Sequence, residues 1–364
     1  MKWTSLAFCT LISVSSLAQL EYNIGVDTTS NYNAQYLSFL EEYFEDMASN
    51  ADSEPSTYFA DSDLQQFAEP DYIMKLLGER RLYQHATKTV LSVREMDEYT
   101  RIQVMFTMNL PDYPFQVYGI GNYYLVREGE QIKLRIPAAV LTSDWHTATV
   151  RHVRYHFPPY HSFNRRSSAK LQSQIEKLEE DWSLEPIEIE YYFTDTQDEI
   201  EAIKGFEYSF YMAKNIAASG FAYIDEAYTF SSGWGEEYFH EIVHIYLNPL
   251  YPDSPLLEGL AVFYGGSMGH EAKWHYDRLA EYLRENPNIS PSSSDFYYMD
   301  EKTNPQSTIA ASICSRIYQK EGVEGLKRVM EYTSFEELYR EEFQLEDAVE
   351  IDRFIRQNLI ELSE

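Results

Sequence analysis

The chain contains few cysteines, few cations and no long apolar segment beyond its N-terminus. Its 364 residues include 2 cysteines, and 29 Lys and Arg stand against 59 Asp and Glu, a net charge of −30. This excess of negative charge repels nucleic acid and anionic lipid, and it is typical of a soluble secreted protein. No later stretch reaches the roughly 18 consecutive apolar residues of a membrane span. The composition therefore predicts neither a nucleic-acid partner nor a membrane-spanning segment.

The N-terminus has the pattern of a secretory signal peptide. A lysine precedes the apolar run Leu6–Val14, and Ser16-Leu17-Ala18 forms a small-x-small cleavage site. We therefore expect residues 1–18 to be removed and the product to be secreted or periplasmic. Loss of Cys9 leaves Cys314 alone, so we expect no intramolecular disulfide and a fold that depends on its hydrophobic core.

The remaining length favours two domains with the fold class α+β. Residues 19–34 are polar and rich in Asn and Thr, which predicts a disordered lead. Residues 35–146 begin with helical spacing and continue with alternating segments, which predicts a helix pair followed by an antiparallel sheet. The predicted strands of this sheet are Thr87–Met96, Thr100–Met108, Phe115–Arg127 and Gln131–Val140. Residues 147–364 form the second predicted domain, which starts with mixed strands and helices and ends in helices.

A helix pair followed by a curved sheet resembles the cone-shaped fold of nuclear-transport-factor-2-like (NTF2-like) domains. No diagnostic motif accompanies this resemblance. It therefore implies a fold for residues 35–146 and no function.

The most informative pattern is His240-Glu241-Ile242-Val243-His244, with Glu258 placed 14 residues beyond His244. On a helix, residues i and i+4 lie one above the other, so both imidazoles project from the same face. Two histidines and one carboxylate supply the three protein ligands of a catalytic zinc site and leave a fourth position open for water. A carboxylate beside the metal that is not a ligand, here Glu241, can accept a proton from that activated water.

The flanking residues support a helix around this motif. Phe239, Ile242, Val243 and Tyr246 recur at i, i+3, i+4 and i+7, which predicts an amphipathic helix from about Gly235 to Leu247. The histidines lie off this apolar stripe.

A second helix is predicted to carry Glu258. Asn248–Asp253 contains two prolines that break the first helix, and Ser254-Pro255 supplies a cap and a first-turn proline for the next. Glu258 then lies about one turn inside the second helix. The small residues in Gly259-Leu260-Ala261 are expected to let the two helices approach closely.

With His240–His244 and the run LLEGLAVFYGG, the chain resembles the gluzincin metallopeptidases, which include thermolysin-like and aminopeptidase-like zinc enzymes. The resemblance covers about residues 147–362. It implies one zinc ion per chain held by His240, His244 and Glu258, with Glu241 as general base. The gap before Glu258 is shorter than in the best-known members, so the loop between the two helices must be compact. The family also implies a substrate-pairing edge strand, which Gly220–Tyr223 resembles.

Three other patterns compete with this assignment. Asp253 is an alternative third ligand, although it lies in a loop between two prolines. Gly265-Gly266-Ser267-Met268-Gly269 matches the G-x-S-x-G elbow of serine hydrolases, but it follows a predicted helix where an elbow requires a strand. The triplet His152, His156 and His161 has no carboxylate at a ligand spacing, which favours ordinary strand and loop positions.

Gluzincins usually add a Tyr or His after the third ligand that stabilises the developing oxyanion. The candidates here are Tyr264, His270, His275, Tyr297 and Tyr298. Tyr264 lies well off the helical face of Glu258, and the two histidines flank a loop where solvent exposure is expected. Tyr298 lies in a polar-bounded loop before a long helix, so we predict that it is the donor.

The sequence thus predicts a secreted two-domain zinc metallopeptidase that hydrolyses peptides or proteins through metal-activated water. The alternative is a secreted binding protein with an inactive zinc site. The intact Glu241 argues against that alternative, because an inactive site has no need of a general base.

Overall fold

The computed structural model describes residues 20–67, 69–78, 80–110, 113–213 and 219–364. The predicted signal peptide, residues 1–18, lies outside this part of the chain. The chain divides into two compact units, one comprising Met1–Ser143 and Glu201–Lys214 and the other Asp144–Ile200 and Asn215–Glu364. With 46% helix, 22% strand and two sheets, the fold is α+β, as predicted.

Strands and helices are numbered in chain order over the described residues. The strands are β1 (Leu20–Tyr22), β2 (Thr87–Glu95), β3 (Thr100–Leu110), β4 (Tyr113–Glu128), β5 (Gln131–Arg135), β6 (His146–Val150), β7 (Val153–Phe157), β8 (Ile189–Thr194), β9 (Phe206–Ser209), β10 (Ser219–Tyr223) and β11 (Tyr228–Ser232). The helices are α1 (Asn31–Ser49), α2 (Asp61–Leu64), α3 (Arg81–His85), α4 (Pro137–Leu141), α5 (Arg165–Trp182), α6 (Gln197–Ile203), α7 (His240–Leu247), α8 (Leu257–Gly265), α9 (Ala272–Glu285), α10 (Pro305–Met330), α11 (Phe335–Phe343) and α12 (Ala348–Ser363). Short 3₁₀ turns occupy Pro55–Tyr58, Phe210–Ala213, Gly235–Glu237 and Asn248–Leu250.

The first unit contains a six-stranded sheet. Strands β2 to β5 form an antiparallel meander, β1 pairs in parallel with β2, and β9 joins the edge of β4 that also carries β5. Alternate residues of β3, Ile102, Val104 and Phe106, are fully buried, which is the pattern of a strand with one face on a core. Helix α1 contributes Tyr43 and Phe44 to this core.

Several predictions for the first unit were wrong in detail. The lead 19–34 is not wholly irregular, because Leu20 is buried and β1 hydrogen-bonds to the sheet. The last predicted strand ends at Arg135, since Pro137 begins α4. Residues 201–214 were predicted in the second domain, but β9 pairs with β4 and places them in the first unit.

The second unit contains a five-stranded sheet in the order β10-β11-β8-β7-β6. The inner pairs are parallel, and β10 and β6 are antiparallel edge strands. Strands β6 and β7 form a hairpin, because the chain turns at Arg151, whose φ is 52°. Helix α5 buries Leu171, Ile175 and Leu178.

Helices α7 to α12 form the rest of the second unit. Helix α8 packs closely on α10, where an added Cβ on Gly259 would lie 2.4 Å from the Cβ of Ala310. A kink at Gly322, with φ of 66°, divides α10. None of the helices in the described residues has the length and apolar character that crossing a membrane requires.

Candidate metal centre

Helix α7 begins at His240, five residues later than predicted, because Gly235 has a φ of 60° and the preceding turn is a separate 3₁₀ segment. All eight of its residues are buried, so it is not the amphipathic helix that the apolar spacing predicted. His240 occupies the first helical position and His244 lies one turn later. Both imidazoles are therefore held on a short, fully buried helix.

Helix α8 supplies Glu258 from its first turn. The helix begins at Leu257, so Glu258 is its second residue and not one turn inside it. Ser254 does not cap the helix, although its Oγ accepts a hydrogen bond from the Leu256 amide at 3.4 Å in the preceding turn. A carboxylate in the first turn interacts favourably with the helix dipole.

The three predicted ligands come together. The Nε2 atoms of His240 and His244 are 3.3 Å apart, and the Glu258 carboxylate lies 3.7 Å from the first and 3.4 Å from the second. Within the described part of the chain, no other group of His, Cys, Asp or Glu has three ligand atoms so close together. The alternative third ligand, Asp253, is exposed in the turn before α8 and is not part of the group.

The two imidazoles are oriented by their other nitrogens. His240 Nδ1 lies 2.7 Å from the carbonyl oxygen of Gly266, and His244 Nδ1 lies 3.1 Å from Oδ1 of Asn248. A carbonyl oxygen only accepts, so each Nδ1 donates and a neutral ring presents the lone pair of Nε2. Two lone pairs 3.3 Å apart repel each other unless a proton or a cation lies between them.

The spacing of the donors fits a tetrahedral metal ion. Ligand atoms about 2.0–2.1 Å from such an ion lie about 3.3–3.4 Å apart. The observed separations of 3.3, 3.4 and 3.7 Å agree with this value to within a few tenths of an ångström. The Glu258 side chain is 67% exposed, so the third ligand can adjust its position from the solvent side.

Sequence reasoning missed the glycines that hold His240. An added Cβ on Gly265 would lie 2.6 Å from the backbone N and Cα of His240, so α8 approaches α7 at Gly265. Gly259, which was expected to make this contact, faces α10 instead. The adjacent glycines Gly265 and Gly266, at the end of a predicted helix, could have indicated this close approach.

The G-x-S-x-G segment forms a turn and not a nucleophile elbow. Ser267 and His270 exchange backbone hydrogen bonds of 2.9 Å around Met268 and Gly269, both with positive φ. His275 is buried, contrary to expectation, and its Nε2 lies 2.8 Å from the Ser267 carbonyl oxygen, to which it donates. The segment thus helps to place the Gly266 carbonyl that orients His240.

Glu241 lies beside the ligands without being one of them. It is 7% exposed, and no donor contacts its carboxylate within the described residues. Burial raises its pKa to about 7, with a further contribution from the charge of Glu258. This carboxyl group therefore gains a proton more readily than an exposed glutamate.

The three predicted ligands have shifted pKa values. Burial lowers the pKa of His240, but the carboxylates of Glu258 and Glu241 outweigh that effect and raise it overall. Burial and the charge of His240 lower the pKa of His244. The interaction with the neighbouring His240 and the charge of His244 lower the pKa of Glu258.

An open cavity of about 390 Å³ contains the three ligands, Glu241 and Asn248. Strand β10 forms the opposite wall through Gly220, Phe221 and Ala222. Strand β10 lies at the edge of the sheet and pairs with β11 on one side only, within the described part of the chain. The predicted edge strand Gly220–Tyr223 therefore lies beside the candidate metal ligands.

Gly220 is required by close packing. A Cβ at this position would lie 2.2 Å from Cε1 of Tyr238 and 3.2 Å from Cγ of Glu241. The ring of Tyr238 is nearly parallel to that of His240, at 12° and 5.9 Å between centroids, and to that of Trp234, at 14° and 5.6 Å. Burial and then the charge of Glu241 raise the pKa of Tyr238 well above its usual range.

The predicted oxyanion donors are not brought to this cavity. Tyr298 is 61% exposed, its neighbour Tyr297 is also exposed, and neither lines the cavity. The Tyr264 hydroxyl accepts a hydrogen bond from Trp182 at 2.9 Å and points elsewhere, as expected. His270 stacks on Trp274 with centroids 3.6 Å apart.

The remaining histidines are separated from one another. His152 pairs with Glu188, His156 with Glu190 and His161 with Glu236, each at 3.0 Å or less. They form no shared ligand group among the described residues. This arrangement agrees with ordinary strand and loop positions.

No protein-family model matches the chain, and comparisons with curated proteins and with solved structures find no similar protein. The functional argument therefore depends on the residues of the cavity and their geometry.

Proposed function

We propose that the chain is a zinc-dependent peptidase of the gluzincin type, in which His240, His244 and Glu258 hold one zinc ion and Glu241 is the general base. The observation that carries this proposal is the set of separations between the ligand atoms, 3.3 to 3.7 Å, next to a buried carboxylate that has no donor within the described residues.

The donor set favours zinc over harder cations. Two imidazole nitrogens and one carboxylate match the His₂Glu set of catalytic zinc sites, whereas Ca²⁺ and Mg²⁺ prefer oxygen ligands. A zinc ion bound there would supply a Lewis acid that lowers the pKa of water and polarises a carbonyl group. Such a site needs a proton acceptor outside the ligand set.

Glu241 has the properties of that acceptor. Its carboxyl group is buried, lines the same cavity as the ligands and lies outside the ligand set, so it can accept a proton from the attacking water and return it. In the proposed reaction its carboxylate takes a proton from the attacking water and delivers it to the leaving amine. The buried surroundings strengthen these electrostatic interactions.

The substrate we propose is a peptide segment in extended conformation. Strand β10 borders the cavity and offers backbone donors and acceptors at a sheet edge, which is how extended peptides commonly bind. The openness of the cavity to solvent suits a protein or peptide chain.

Two further proposals concern the fold of each unit. We propose that the second unit is gluzincin-like and that the first is NTF2-like. The N-terminal sequence pattern supports secretion or export to the periplasm.

Metal analysis combined with digestion of a peptide library tests the function. We expect one zinc per chain and cleavage that disappears on treatment with chelator and returns with added zinc. Glu241→Gln is the matched control, because it keeps all three ligands. Zinc binding without any cleavage by the unmodified chain would favour the alternative, a binding protein with an inactive site.

A further inference from the structure

Tyr238 stands out among the residues around the candidate metal centre because its ring packs directly on a ligand. It precedes His240 by two residues, and its ring is nearly parallel to those of His240 and Trp234, with centroids 5.9 and 5.6 Å away. Its backbone amide donates to the hydroxyl of Tyr191 at 3.1 Å, and that hydroxyl donates to the Gly235 carbonyl at 2.8 Å. Both the ring and the backbone of Tyr238 are therefore held in place.

The edge of this ring lies beside the general base. Cε1 of Tyr238, which neighbours the carbon bearing the hydroxyl, and Cγ of Glu241 are both close to the position of an added Cβ on Gly220, at 2.2 and 3.2 Å. Gly220 lines the cavity that contains the ligands. A side chain at this position would have to displace the tyrosine ring or the base.

Two complementary groups thus adjoin each other without partners. The Tyr238 hydroxyl and the Glu241 carboxylate each have no hydrogen-bond partner in the part of the chain that the structure describes. A partly buried phenol hydroxyl usually finds an acceptor, and a buried carboxylate is costly without a donor. A phenol donating to a carboxylate forms a strong charge-assisted hydrogen bond.

We infer that Tyr238 is a positioning residue of the metal centre, whose hydroxyl donates a hydrogen bond to the Glu241 carboxylate and directs it toward the open side of the ligands. This inference rests on the proposed function. The sequence predicted that a tyrosine hydroxyl, that of Tyr298, acts on the developing oxyanion. In this inference the tyrosine is Tyr238, which precedes the first ligand, and its hydroxyl donates to the general base.

Tyr238→Phe isolates the hydroxyl, because phenylalanine keeps the ring stack on His240. We expect the zinc content and KM of this variant to match the unmodified chain within about twofold, while kcat falls about tenfold or more. A phosphinic peptide, which imitates the tetrahedral species flanked by the base, should bind about tenfold more weakly by calorimetry. Tyr298→Phe is the matched control and should change none of these quantities.

Each outcome separates the inference from the proposed function. Unchanged kcat and unchanged phosphinic-peptide affinity in Tyr238→Phe would overturn the inference alone, as would loss of zinc from that variant, which indicates a structural role. An equal loss in Tyr298→Phe would return the assignment to Tyr298. If the zinc-loaded unmodified chain neither cleaves peptides nor binds the phosphinic peptide, the proposed function fails and the inference fails with it. If it binds the phosphinic peptide without cleaving, only the affinity change decides the role of Tyr238.

Discussion

Each of the two units contains a buried carboxylate, and the two carboxylates differ in their hydrogen-bond donors. In the first unit, Asp71 accepts hydrogen bonds from Tyr43 at 2.5 Å, from Tyr83 at 2.6 Å and from the Met74 amide at 3.0 Å. In the second unit, Glu241 has no donor in the described residues and faces a cavity. Both carboxyl groups have a raised pKa, with burial as the first cause.

The difference separates a carboxylate that stabilises a core from one that is available for chemistry. Donors on Asp71 offset its desolvation and tie β4 to α1, since the Tyr123 hydroxyl extends the network to Tyr83 at 2.7 Å. For Glu241, no donor among the described residues offsets the cost of burial. The raised pKa therefore does not distinguish these two carboxyl groups, whereas their hydrogen-bond partners do.

Removal of a metal ligand is expected to have the largest effect. His240→Ala, His244→Ala and Glu258→Ala should each lose zinc, because the remaining two ligands no longer define a tetrahedral site. Metal analysis of the purified variants measures this. Asp253→Ala is the control, since this exposed residue is outside the group. Full zinc occupancy in Glu258→Ala together with loss in Asp253→Ala would reassign the third ligand.

Conversion of each buried carboxylate to its amide tests the comparison directly. Glu241→Gln should retain zinc and lose about 10²–10⁴-fold in kcat, the usual contribution of general-base catalysis. Asp71→Asn should leave kcat unchanged and destabilise the first unit by about 2 kcal/mol, because one oxygen that accepts two tyrosine hydroxyls is replaced. Peptide hydrolysis and urea unfolding measure the two effects. Normal hydrolysis by Glu241→Gln would disprove the proposed mechanism.

The two glycines of α8 provide a matched pair of intermediate effect. Gly265→Ala and Gly259→Ala both force a Cβ to within 2.6 Å of neighbouring atoms, so each should destabilise the second unit by about 2 kcal/mol. Only Gly265 faces His240, so only Gly265→Ala should weaken zinc binding. Zinc titration of both variants checks this. Equal zinc affinity would show that the Gly265 contact does not position the ligand.

A further test concerns a buried cation in the first unit. Burial lowers the pKa of Lys88 to about 8, although Nζ donates to the Tyr83 and Ala86 carbonyl oxygens at 2.6 and 3.1 Å. Between about pH 8 and the ordinary lysine pKa of about 10.4, the unfolded chain binds more protons, so stability rises with pH. The gain is up to about 3 kcal/mol.

Lys88→Met removes this titration and is the reference. The unfolding free energy of the unmodified chain minus that of Lys88→Met should increase between pH 7.5 and pH 10, as measured by urea unfolding with circular dichroism. A difference that stays constant over this range would show that Lys88 titrates normally in the folded chain.

Local patterns predicted most elements, and the errors share a cause. The strands β2, β3 and β4 begin and end within two residues of the predicted Thr87–Met96, Thr100–Met108 and Phe115–Arg127. The errors arose where distant contacts outweigh local preference. Leu20 pairs with a strand far along the chain, and β9 pairs with β4 of the first unit across more than 80 residues of sequence.

In the candidate metal centre, too, local spacing predicted some features and distant contacts decided others. The spacing in His240-Glu241-Ile242-Val243-His244 places two imidazoles on one helical face whatever else the chain does. The partner of His240, the Gly266 carbonyl, could not be predicted, because its distance depends on how α8 ends and packs on α7. Asn248, the partner of His244, lies only four residues further along the chain, so that contact is local. Tyr298 was chosen for its loop, but its exposure depends on packing that no local pattern encodes.

The chain's periodicity and motif are thus sufficient for the fold class and for the placement of His240 and His244 on one helical face, because helical and strand geometry follow from bonds between near neighbours. The exposure of Tyr298, the contact of Gly265 with His240 and the placement of Tyr238 beside Glu241 arise only when segments far apart in sequence pack. Close packing of this kind depends on the shapes of all neighbours at once, and hydrophobic spacing carries no information about those shapes.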